Sequence, residues 1–169
     1  MKAKGPAPRV PSQTRRILAL SASLWVLRLL TAAGLAVDAY VHADLAATYD
    51  PVTKTISQGD LFRIEAGAAA LAALLVIILG TRPLVWVYAL LVAAAGIAAV
   101  LLYRYVDVGS VGPLPNMYEP TWYPEKTASA VAEAAAMLTA AAGLLLARRL
   151  RTNSRGSGAV PALIGAQSK

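Results

Sequence analysis

The sequence predicts an all-α, membrane-spanning four-helix bundle, and three observations carry that expectation. Hydrophobic residues make up 57% of the 169 and charged residues only 15%, against roughly 25% charged in a soluble domain. Four stretches reach the ~20 mostly apolar residues that a bilayer crossing needs. Basic residues flank those stretches on one side, while the acidic ones gather toward the other.

The first apolar stretch, Ile17 to Leu45, is interrupted by Arg28, Asp38 and His42. As one helix it would reach about 43 Å, more than the ~30 Å hydrocarbon core. A crossing from Leu24 to Asp44 keeps Arg28 off the bilayer midplane, where a charge is costly. The second span, Leu61 to Gly80, has Arg63 and Glu65 near its start and then runs uncharged. The third, Pro83 to Tyr103, has no charged side chain, and the fourth, Thr127 to Ala147, has only Glu133. Residues 1–16, basic and with three prolines, are expected to be disordered. Residues 17–149 form the bundle, and 150–169 read as a flexible tail.

Twelve basic residues (Lys2, Lys4, Arg9, Arg15, Arg16, Arg28, Arg82, Arg148, Arg149, Arg151, Arg155 and Lys169) fall on one side of this arrangement, and all nine carboxylates fall on or near the other. The positive-inside rule then puts both termini in the cytoplasm of a multi-pass cell-membrane protein. The net charge of +7 is a topology signal, and nucleic acid is not expected as a partner. Trp25 and Trp86 are expected at the inner interface, and Tyr40, Tyr103, Tyr105, Trp122 and Tyr123 near the outer one. A cleavable signal peptide ending at Thr31-Ala32-Ala33 is the rival reading of the first stretch, and Arg28 inside its apolar region argues against it.

Close approach of spans needs small residues. Ser129, Glu133, Ala136, Ala140, Gly143 and Ala147 recur at helical spacing in the fourth span. Ala89, Ala93, Gly96 and Val100 do so in the third, and Gly67 with neighbouring alanines offers a small surface in the second. In the first span, Arg28, Thr31, Leu35, Asp38 and His42 fall within about 80° of one another around the helix. A polar stripe on a spanning helix must face the bundle interior or water.

The candidate polar cluster is Asp38, His42, Glu65, Arg104 and Glu133, at similar depth below the outer surface. It has three readings. In the first, ion pairs hold helix register. In the second, a divalent metal sits on His42, Asp38, Glu65 and Glu133, a nitrogen–oxygen donor set suited to Zn, Mn or Fe. In the third, the same groups bind a proton or small ligand for transport. The single His and the absence of Glu-x-x-His spacing count against a dinuclear site, and no other cofactor is expected. The outer loop around Tyr118, Glu119 and Trp122, stiffened by Pro113, Pro115, Pro120 and Pro124, is either an interface-anchored connector or a lid and docking surface. The chain has no Cys, which excludes disulfides and thiolate chemistry. It carries no nucleophile–base, nucleotide-loop or HExxH motif, so no enzyme is expected.

The span pattern from Leu24 to Ala147 is similar to the small four-span bacterial membrane proteins of the DoxX-like kind, and its alanine content resembles that of uncharacterised actinobacterial membrane families. The resemblance implies a four-helix bundle in the cytoplasmic membrane and assigns no functional residue. The expected role is an accessory or binding protein, with lipid and another membrane protein or a second copy as partners. The alternative is a metal- or proton-coupled small carrier.

Overall fold

The computed structural model of the protein describes residues 12–157, with side chains from 18 to 152. Four helices follow in order: α1 (Ser12–Tyr49), α2 (Gln58–Leu79), α3 (Pro83–Tyr105) and α4 (Pro124–Ser157). Each contains a stretch long and apolar enough to cross a membrane. The chain is thus an all-α, four-span integral membrane protein.

Local chemistry sets most boundaries. No proline lies between Ser12 and Asp50, so α1 runs unbroken until Asp50, which precedes Pro51 and is disfavoured from helix. Helix α2 opens with a capping box. The Asp60 amide donates to Ser57 Oγ at 2.9 Å, and the Ser57 amide donates to the Asp60 carboxylate at 3.4 Å. Pro83 starts α3 at a position that tolerates its missing N–H. Two helices outrun expectation. Helix α1 begins inside the segment read as disordered, and α4 continues to Ser157, into the stretch read as a flexible tail. The run Leu144 to Arg151 consists of leucine, alanine and arginine, all strong helix formers with nothing to stop them. Residues 1–11 and 158–169 lie outside the described residues.

The helices run up and down. Helix α1 packs against α2 and α4, and α3 packs against the same two. Residues 50–57 and 106–123 connect helices at one end of the bundle, the loop end. The turn 80–82 and the outer ends of α1 and α4 lie at the other, the tail end. At the loop end, the Thr55 and Ile56 amides both donate to the Pro113 carbonyl, at 3.2 and 3.3 Å, and join the two connections.

The interior is small and partly polar, and the exterior is large and apolar. Ala69, Ala72 and Val76 of α2, Ala89, Ala93 and Gly96 of α3, and Ala136 and Ala140 of α4 are buried. Leu71, Leu74, Ile78, Leu91, Leu138 and Leu145 point outward and are exposed. That inversion suits lipid, which solvates leucine well and leaves close contact to small residues. Gly67 is not part of the α2 seam, since a methyl there would meet nothing within 4 Å. The inward face of α2 is the opposite side of the helix, set by Ala69, Ala72 and Val76.

Trp86 also departs from expectation. It lies at the tail-end turn but is fully buried, and its Nε1 donates to the Gly80 carbonyl at 2.7 Å. It thereby satisfies a carbonyl at the end of α2 that has no partner within the helix. A methyl at Gly143 would overlap its ring, so a glycine on α4 receives the largest side chain of the core. Arg28 is buried at the same end, beside Gly80 and with its guanidinium 4.5 Å from the Trp25 ring centroid. A cation at the C-terminus of α2 meets the negative end of the helix dipole.

Candidate functional site

The polar stripe of α1 faces inward along its whole length. Arg28, Thr31, Leu35, Asp38 and His42 are 6%, 0%, 0%, 0% and 9% exposed. Lipid cannot satisfy such groups, so the neighbouring helices must. Thr31 donates to Thr139 Oγ1 of α4 at 2.8 Å. One turn further toward the loop end than Leu35 comes Asp38, and there the chemistry changes.

Asp38, His42, Ser129 and Glu133 form a tight group between α1 and α4. The Asp38 Oδ1 atom is 2.8 Å from His42 Nδ1, which also lies 3.1 Å from the Asp38 carbonyl. Ser129 Oγ is 2.8 Å from Asp38 Oδ1 and 3.2 Å from Glu133 Oε1. A hydroxyl has one proton, so Ser129 serves one carboxyl group at a time. Asp38 and Glu133 are both fully buried, and Asp38 Oδ2 and Glu133 Oε2 have no hydrogen-bond partner. Gly96 of α3 makes room for the second carboxyl, because a methyl at 96 would lie 2.5 Å from Glu133 Oε1. Three helices therefore build this spot.

A cavity of about 380 Å³ lies against the group, between it and the loop end. His42, Glu65 and Ser129 are among its polar lining, with Gln58, Glu119 and Lys126. Leu45, Leu61, Phe62, Ile64, Ala99 and Val100 are among its apolar lining. Phe62 meets the His42 ring at 88° with centroids 5.0 Å apart, which holds the imidazole against α2. Glu65 has a buried Oε1 without a partner.

The roof is the loop-end connection. Leu114, Met117 and Glu119 line the cavity from above. The Glu119 amide donates to the Tyr103 carbonyl at 3.0 Å, and Lys126 Nζ donates to the Glu119 carbonyl. Tyr49 and Tyr123 share a 2.8 Å hydroxyl–hydroxyl bond at the rim. The amide of Thr121 holds the Glu119 carboxylate below its ordinary range. Burial, then the Tyr49 bond, pushes the Tyr123 phenol up.

The structure thus brings together Asp38, His42 and Glu133, with Glu65 on the same cavity, and leaves Arg104 out. The Arg104 guanidinium stacks 5.0 Å from the Tyr105 ring and 5.7 Å from the Trp122 ring, with its Nε unpartnered. It sits in the last turn of α3, too close to the loop end to reach the carboxylates. Tyr118 and Trp122 are both 39% exposed on the loop, while Glu119 turns in to the roof. Ser129 and Gly96 were visible in the sequence only as small residues on interior faces. Their roles as shared donor and carboxylate cradle come from the contact between helices.

The chain matches no protein-family profile, no curated protein and no solved structure.

Proposed function

We propose that this membrane protein is a binding protein, not an enzyme, and that it takes a cation into the outer half of its bundle. One observation carries the reading: His42 and Glu65 line the cavity, Asp38 and Glu133 lie buried directly behind His42 and Ser129, and each of the three carboxyls has a buried oxygen without a hydrogen-bond partner. Unpaired buried acceptors are expensive, and buried negative charge more so. Lys126, which lines the cavity, donates to the Glu119 carbonyl at the roof, and Arg63 is bound by Asp50 and Asp60 outside the cavity. A positively charged ligand supplies what the chain does not. On the positive-inside reading, the loop end and its cavity face away from the cytoplasm.

A carrier built on the same residues has less support. The tail half of the interior is filled by Leu35, Trp86, Val76, Ala89 and Ala140, all fully buried, so a cation at Asp38 meets a packed plug beneath it. The test is a melting series on detergent-purified protein with a panel of inorganic and organic cations. At least one cation should raise Tm in the wild type and fail to do so in Asp38→Asn. A flat response across the panel would end the cation reading.

A further inference from the structure

Resting on that cation-binding reading, we infer that the cation is a divalent transition-metal ion held by Asp38, His42 and Glu133. Each of the three offers a ligand atom, and those atoms all lie within 4.8 Å of one another. Two donors around a Zn-sized ion, at bonds of about 2.1 Å, stand about 3.4 Å apart in tetrahedral geometry. The 2.8 Å separation of His42 Nδ1 from Asp38 Oδ1 is a little under that of two donors about 90° apart on one ion, about 3.0 Å. Glu133, with a carboxylate oxygen within 4.8 Å of both donors, is the third ligand.

Imidazole nitrogen with carboxylate oxygen is a donor set for Zn, Mn or Fe. Asp38 and Glu133 do not line the cavity, but His42, Ser129 and Glu65 do. The Asp38 and Glu133 carboxyls adjoin one another, so an ion entering from the cavity side would part them, with water from the cavity completing its coordination. Ser129, bonded to the same oxygens, is the outer partner that orients ligating carboxylates in metal sites.

The experiment uses the full chain in detergent, stripped with chelator, loaded with Zn²⁺, Mn²⁺ or Co²⁺ and desalted. Retained metal is measured by elemental analysis, and Co²⁺ coordination by visible absorption. The wild type should keep one ion per chain. His42→Ala and Asp38→Asn should lose it, and Ser129→Ala should weaken it about 10-fold. Asp50→Asn, outside the cluster, should bind as the wild type does. Elution profile and helical circular dichroism confirm that each variant is folded. His42→Ala is the anchor variant, because it removes the nitrogen donor at the cavity wall and leaves both carboxyls in place.

The inference is overturned if the wild type retains no metal, or if folded His42→Ala and Asp38→Asn retain it unchanged. Methylammonium and tetramethylammonium, tested by melting in parallel, separate the two levels of the argument. If they stabilise the wild type and not Asp38→Asn while no metal is retained, the ion is wrong and the cation reading stands. If neither class has an effect, both fall.

Discussion

Gly96 on α3 is the cradle of the Glu133 carboxylate on α4: a methyl at 96 would lie 2.5 Å from Oε1 and 2.8 Å from Cδ. The carboxylate cannot simply swing away, because Ser129 and Asp38 hold its other side. Gly96→Ala should therefore cost about 1–3 kcal/mol, the usual range for an overpacked core. The cost should shrink in a Glu133→Ala background, since the clash is with that side chain alone. A double-mutant cycle on melting in detergent reads the coupling. Additive effects would mean that α3 and α4 meet differently here.

At the tail end, Trp86 and Gly143 are matched in the opposite sense, the largest side chain against none. Gly143→Leu should separate α3 from α4 and lower Tm more than any exposed leucine-to-alanine change on the lipid face. Trp86→Phe keeps the ring and removes the donor to the Gly80 carbonyl, which should cost about 1–3 kcal/mol for the unsatisfied group. Protease sensitivity of the turn 80–82 gives a local readout beside Tm.

The α1 stripe shows why so much of this site could be read from sequence alone. On a spanning helix, lipid forbids polar groups outside, so the spacing of Arg28, Thr31, Asp38 and His42 fixes the inward face. The small-residue rows of α3 and α4 are legible for a similar reason, because only they permit close approach. In α2 the rule fails at Gly67. That helix is small and apolar nearly all round, so composition does not choose a face and its neighbours do. Arg104 stays out of the cluster because it lies about two turns beyond Gly96 along α3, and aromatic rings compete with carboxylates for a guanidinium. Trp86 reads as an interface anchor by depth alone. Its inward direction depends on Gly143, a residue of another helix.

Ser129 tests the shared-donor arrangement. Ser129→Ala removes the side-chain hydroxyl that contacts both carboxyl groups, and about 1–3 kcal/mol is expected from leaving buried acceptors unpaired. Saturating metal should recover most of that loss, since an ion satisfies the same oxygens. A variant that melts low with and without metal would show that Ser129 matters to helix contact and not to the cluster.

Outside the bundle, Arg63 binds Asp50 through both guanidinium ends, at 2.7 and 2.8 Å, and ties the start of α2 to the end of α1. That hydrogen-bonded pairing holds the Asp50 carboxyl below its ordinary value of 3.8. A lowered carboxylate contributes stability above its unfolded pKa and loses it as pH falls through the folded one. The Tm difference between wild type and Asp50→Asn should thus be present near neutral pH and close below about pH 4. Salt should reduce it at every pH, because the pair is exposed and screened. A difference that does not shrink as pH falls below about 4, or that ignores salt, would mean that Asp50 acts by its shape beside Gly59, where it packs, and not by its charge.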